Sequence, residues 1–226
     1  MTITTTAQGP FNWVNGARSD PVVADGYFDN ISPRTGAVLC RVPVSGKEEV
    51  DRAVKAARAA FPAWSSLSGL ERGRLLTRAA KILRDNLEEV AQLDVRDNGK
   101  PIWEARVDME TVISSLEYYG GLAPAIVGHH VKLPAGSWGV ATREPLGVVG
   151  GVGAWNYPLQ TLTWKVAPAL ACGNTFVYKP SQLTPLAAAV LGEVLEEAGV
   201  PPGVYNAVQG EGPTGSVHHK TSFRDL

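Results

Sequence analysis

The stretch from Gly147 to Val208 constrains the fold more than any other part of the chain. It opens on an apolar, Gly-rich run, Val148, Val149 and Val152, too short for a helix and rich in β-branched residues, and reads as a buried strand. The run breaks at Ala154-Trp155-Asn156. Asn156 can cap a helix, and Pro158 is tolerated only in a first helical turn. Leu159, Leu162, Val166 and Leu170 follow at helical spacing, Gly173-Asn174 ends the helix, and Thr175 to Lys179 reads as a second strand. The unit then repeats. Thr184-Pro185 starts a helix with Leu186, Val190, Leu191, Val194 and Leu195 on its apolar face, Gly199 closes it, and Val204 to Val208 is a third strand. The product is βαβαβ, with right-handed crossovers expected, one mononucleotide-binding half of a doubly wound sheet. Ligands of such sheets sit outside the carboxyl ends of the strands. Those ends carry Trp155-Asn156, Lys179-Pro180-Ser181-Gln182 and Gly210-Glu211-Gly212.

REPLGVVGGVGAWNYP (residues 143–158) followed by WKVAPALACGNTFVYKPS (residues 164–181) resembles the NAD-dependent aldehyde dehydrogenases. Within that family the chain is most similar to the branch that oxidises trimethylammonium-bearing aldehydes, including betaine aldehyde. NGKPIWEAR, LEYYGGLA and EAGVPPGVYNAVQG extend the likeness over about residues 11 to 215, and all of these in order make a specific signal. The resemblance implies the N-terminal part of that α/β fold: a Rossmann-like parallel sheet preceded by a β-hairpin layer and helices. It also implies NAD as cofactor, an aldehyde as substrate, and a homo-oligomer, a tetramer in this branch.

The 226 residues suffice for one large domain or two small ones, and 44% hydrophobic residues support a real core. A net charge of −1 without a basic stretch gives nucleic-acid binding little support. The first ten residues lack the basic and apolar regions of a signal peptide, and no apolar run reaches membrane-spanning length. Cys40 and Cys172 make no disulfide framework, so a cytoplasmic setting is the expectation.

In chain order, residues 1–10 read as disordered. Residues 11–126 read as hairpins with turns at Asn15-Gly16, Asp25-Gly26 and Ser32 to Gly36, then three helices. Capping boxes at Ser45 to Glu48 and Ser68 to Glu71 open the first two helices. Asn98-Gly99-Lys100-Pro101 breaks the second, and the third runs to about Tyr119. Residues 127–146 suggest an extended two-stranded excursion; in the resembled family such a segment reaches a neighbouring subunit. Residues 147–215 form the βαβαβ half. From residue 216 the chain departs from the family pattern, so that 216–226 reads as a divergent tail replacing the next helix.

Several residues have two readings. Asn156 is a plain N-cap by position; the resemblance assigns the matching asparagine to an oxyanion, whose charge a pre-placed amide stabilises as it develops. Lys179 is a solvated strand end by position, whereas the resemblance places it on the adenosine ribose. The family often carries Glu three residues later; Gln182 stands here, and a neutral amide repels a 2′-phosphate less, which loosens the preference for NAD over NADP. Trp155 and Ser181 flank the same crevice. Gly210 to Gly215 matches G-x-G-x-x-G but follows the third strand rather than the first, so it is no pyrophosphate fingerprint. By resemblance this loop borders the adenine end, and Gly212 and Pro213 are its candidate cofactor contacts.

Tyr157 and Trp164 lie seven residues apart and so share a helix face. Ordinary packing explains them; beside a cationic substrate they instead make a partial aromatic cage, with Asp108 adding negative charge to its mouth. Cys172 reads as a buried small residue. His129-His130 and His218-His219 are adjacent pairs that make poor chelates, and no metal site is expected. The family's catalytic cysteine and glutamate lie in Gly-Gln-x-Cys and Glu-Leu-Gly-Gly-Lys stretches, neither of which occurs here. The chain therefore reads as a truncated aldehyde dehydrogenase, inactive alone. The alternative is a non-catalytic module that pairs with full-length subunits.

Overall fold

The computed structural model describes residues 11–22 and 26–220. The expected βαβαβ unit is present: β7 (Val148–Val152), α5 (Pro158–Ala171), β8 (Thr175–Lys179), α6 (Leu186–Glu197) and β9 (Tyr205–Ala207). β7 pairs with β8 and β8 with β9, both in parallel. Pro158 occupies the first turn of α5, and Gly173, at φ +87°, ends it. Every residue of β8 is buried, as expected of a central parallel strand covered on both faces.

The N-terminal hairpins do not form one layer. β1 (Asn12–Val14) and β2 (Ala17–Ser19) join the main sheet, which runs β2-β1-β9-β8-β7, with Trp13 opposite Ala207 in an antiparallel pair. This covers the edge that β9 would otherwise present. The Trp13 ring packs on Gly192 of α6, where a Cβ would sit 2.6 Å from the indole. Asn12 Oδ1 accepts from Gln209 N (2.7 Å) and from Ser45 Oγ (2.9 Å), tying the hairpin to the end of β9. β3 (Tyr27–Ile31) and β4 (Val38–Pro43) form a separate two-stranded sheet.

The first capping box is shifted by one residue. α1 (Lys47–Ser66) has Gly46 at its N-cap; Glu49 closes the box by accepting from Gly46 N at 2.8 Å, and also accepts from Val22 N. Ser45 is turned away towards Asn12. The second box holds as expected, with Ser68 and Glu71 bonding reciprocally at the start of α2 (Gly69–Asp85). The apolar spacing that suggested one long helix is split at Asn86 into α2 and α3 (Leu87–Asn98). α4 (Ile102–Leu122) follows and continues through Gly120-Gly121, because Gly120 packs directly on Gly73 of α2.

β5 (His129–Lys132) and β6 (Trp138–Ala141) pair as the expected two-stranded excursion, almost wholly exposed. Two further expectations are corrected. The segment after residue 215 is not free of helix: α7 (Gly212–Lys220) packs on the sheet, with a His218 ring nitrogen 3.2 Å from the Val177 carbonyl. Thr214 Oγ1 donates to the Ser45 carbonyl at 2.5 Å, anchoring its first turn. Cys172, at the end of α5, is exposed rather than buried. The expectation of disorder for residues 1–10 lies outside the described residues, as does part of the tail.

Candidate functional site

The carboxyl ends of β7, β8 and β9 lie on one side of the sheet, as parallel order requires, and Trp155, Lys179, Ser181, Gln182 and Gly212 stand at or just after those ends in the chain. Lys179 is the most constrained of them. Its side chain is 5% exposed, and its one hydrogen bond among the described residues is donated to the Pro180 carbonyl at 2.7 Å. Burial pulls its pKa down to about 8, against the attraction of the nearby Glu211 carboxylate. An ammonium has three donors, so Lys179 retains capacity for acceptors brought by a ligand. Hydroxyl groups of a ribose fit that need. Gln182, Gly212 and Pro213 are exposed, and nothing lies within 4 Å of where a Gly212 Cβ would stand. Ser181 Oγ accepts from Leu183 N, shaping the turn after β8, and its hydroxyl proton remains available.

Asn156 does not cap α5. Tyr157 takes the N-cap position without a side-chain bond, and the Asn156 side chain is exposed without a hydrogen-bond partner among the described residues. The backbone around it is pinned from elsewhere. Asn98 Nδ2 donates to the Trp155 carbonyl at 2.6 Å, and Lys100 Nζ donates to the Asn156 carbonyl at 3.0 Å.

Lys100 is itself held on several sides. It is paired with Asp108, lies 3.5 Å from Asp94, and sits 4.4 Å from the centre of the Tyr157 ring. This redefines the expected cage. Tyr157 already faces an internal cation, and the charge of Asp108 is met by Lys100 at a buried site instead of being offered to a mouth. Tyr157 also precedes α5 with non-helical backbone angles, so the shared helix face with Trp164 does not hold. Trp164 is 51% exposed and Trp155 is exposed too, leaving those two indoles available.

Two buried acids beside this cluster carry no sequence motif. Asp97 accepts from Asn30 Nδ2 (2.7 Å) and Leu186 N (3.1 Å), and burial raises it to about 7. Asp94 is raised to about 6 by burial, with Asp108 adding to the rise and Lys100 opposing it. No local signal marks them: both lie inside α3, upstream of the Gly99 break, where a buried and a solvated acid look alike in sequence.

The sequence model described as "Aldehyde dehydrogenase family" matches residues 22–219. The chain belongs to the aldehyde dehydrogenase family. It is 51% identical over 208 residues to 4-trimethylaminobutyraldehyde dehydrogenase of Sus scrofa, an alignment covering 92% of this chain and 42% of that protein. The Homo sapiens protein of the same name is 50% identical over 206 residues, with 91% and 42% covered. Among solved structures, PnpE in complex with nicotinamide adenine dinucleotide superposes with a TM-score of 0.92 at 39% identity, covering 95% of this chain and 44% of that one. The NAD+ complex of aldehyde dehydrogenase from Bacillus cereus gives 0.93 at 34% identity, with 97% and 45% covered. The chain thus spans less than half the length of the family members it matches. The match reaches into α7, so the family pattern continues beyond residue 215. No helix among the described residues is long and apolar enough to cross a membrane.

Proposed function

We propose that this chain is the cofactor-binding portion of an NAD-dependent oxidoreductase that converts a trimethylammonium-bearing aldehyde to its acid. The observation that carries this reading is Lys179: a buried ammonium with spare donors at the carboxyl end of the central strand, in a family member. Lys179 would hold the adenosine ribose, with Gln182 and Ser181 beside it and Gly212, Pro213 and Trp155 bordering the crevice. Gln182, being neutral, leaves room for NADP as well. NAD, when bound, supplies the hydride acceptor. Asn156 would donate its amide to the oxygen of the aldehyde as negative charge grows there. Trp164, exposed on α5, would face the quaternary ammonium, while Tyr157 and Asp108 act through Lys100.

The sequence holds no counterpart of the family's Gly-Gln-x-Cys and Glu-Leu-Gly-Gly-Lys stretches, so no aldehyde oxidation is expected of the 226 residues assayed alone. A second reading, association with full-length subunits in a homo-oligomer, is favoured by one observation. The β5–β6 arm is exposed and carries Val131, Trp138 and Val140 unburied. The free thiols of Cys40 and Cys172 suit a reducing, cytoplasmic setting.

Calorimetric titration of NAD into the 226-residue chain tests the main reading. Saturable binding is expected, weakened at least about tenfold in Lys179→Ala, roughly 1.4 kcal/mol. Equal binding by both proteins would remove Lys179 from the site. No binding by the soluble wild-type chain would leave the arm-mediated reading in front.

A further inference from the structure

We propose that Asn98 and Lys100 are positioning residues for Asn156, together fixing the backbone from which its amide is presented; this rests on reading Asn156 as the oxyanion donor. The argument is geometric. Two peptide planes flank residue 156, one carrying the Trp155 carbonyl and the other the Asn156 carbonyl. A peptide unit is rigid and planar, so holding its carbonyl holds the plane. Asn98 Nδ2 bonds the first at 2.6 Å and Lys100 Nζ the second at 3.0 Å. With both planes held, φ and ψ of Asn156 are set and only its side-chain torsions remain free. Immediately downstream, Pro158 removes backbone freedom from the first turn of α5.

The two donors come from one device. Gly99 ends α3 at φ +84°, and its amide bonds the Val95 carbonyl at 2.9 Å. A Cβ there would press on the Pro33 ring at 2.7 Å, so the turn admits glycine alone on both counts. The turn delivers Asn98 and Lys100, two residues apart, to two successive carbonyls. Lys100 is not free to leave. Asp108 and Asp94 hold its charge from the helices on either side, and the Tyr157 ring, adjacent in sequence to the residue being positioned, lies 4.4 Å from its ammonium. The substrate-side loop is thus braced by a helix junction more than fifty residues away in sequence.

The test uses the 15N-labelled 226-residue chain. Backbone order at Trp155 and Asn156, and the signals of the Asn156 side-chain amide, are measured in wild type, Asn98→Asp and Lys100→Met/Asp108→Asn. Asn98→Asp keeps the shape and removes the donor; the double variant removes the cation without stranding its principal counter-charge. Expected is a rigid loop in wild type, with an order parameter near 0.85, falling below about 0.6 at residues 155 and 156 in each variant. The amides of Val177 and Tyr178 in β8, and the thermal midpoint of Asn98→Asp, stay unchanged. Unchanged order at 155 and 156 in Asn98→Asp overturns the proposal, as does a loss that spreads equally into β8, which would mean the junction only supports the fold. The oxyanion reading is separated by adding 4-trimethylaminobutyrate, whose carboxylate should shift the Asn156 side-chain amide of the wild-type chain. A missing shift with the order changes intact removes the oxyanion role and leaves the positioning role standing.

Discussion

Two buried lysines stand at comparable depth in this molecule and are built for opposite tasks. Lys100 is 8% exposed and saturated: two carboxylates, a carbonyl and an aromatic face account for its charge and donors. Lys179 is 5% exposed and undersupplied: among the described residues a single backbone carbonyl accepts its hydrogen bond, the Glu211 carboxylate is only nearby, and its pKa is pulled down to about 8. Burying an ammonium is costly unless it is paired and hydrogen-bonded, so the first arrangement is scaffold and the second is a deficit. A deficit at the carboxyl end of a central parallel strand is what a polyhydroxylated ligand can relieve. Burial alone says little about a lysine's role; the tally of its partners says more.

The largest effect expected from breaking this contrast is on stability. Lys100→Met strands Asp94 and Asp108 without their cation and should cost about 3–5 kcal/mol in urea unfolding. Lys179→Met removes a charge with little protein compensation and should leave stability the same or slightly higher. Equal losses from both would erase the distinction between the two sites.

Proton linkage gives a second, smaller contrast. The folded-state pKa of Asp94 is raised from 3.8 to about 6, so its contribution is fully present below pH 3.8 and lost as pH rises through about 6. That of Lys179 is lowered from 10.5 to about 8, so the burden of burying its charge is full below pH 8 and relieved between about 8 and 10.5. Unfolding titrations should show wild type losing ground to Asp94→Asn between pH 4 and 6, and Lys179→Met losing its advantage over wild type above pH 8. NAD affinity should fall through the same upper range as Lys179 gives up its proton.

The smallest expected effect separates the two aromatic groups. Trp164→Ala should leave unfolding within about 0.5 kcal/mol of wild type, because the ring is 51% exposed. It should weaken binding of tetramethylammonium about threefold, in line with an exposed cation–π contact near 0.5–1 kcal/mol. Tyr157→Leu should instead act on the fold, through Lys100. A reversed pattern would restore Tyr157 as the cage.

Much of this architecture is legible in the residue order. The βαβαβ unit, its turns at Gly173 and Gly199 and the buried middle strand follow from period and punctuation, which are local properties. The boxes read at Ser68 and Ser45 show the limit of that reading: both patterns are present, yet Ser45 donates to Asn12, distant in sequence and buried, and Gly46 takes the cap position. The same holds for α2 and α3, where the apolar stripe runs on but Asn86 breaks the backbone. Lys179 and Asn156 stand out in the sequence only through the family resemblance. Lys100, Asp94 and Asp97 do not stand out, because nothing local distinguishes a solvated charge on a helix from a buried one.

By itself the sequence determined the family, the order of strands and helices, and the residues at the carboxyl ends of the sheet, since periodicity, capping and turn chemistry act between near neighbours. Only the tertiary structure decided that the first hairpin extends the sheet beside β9 and that Asp108 answers Lys100 instead of a substrate. It alone brought a junction at residue 99 to hold the backbone at residue 156. Those outcomes depend on which polar groups are carried out of water together, and each such group takes the partner that packing brings within reach.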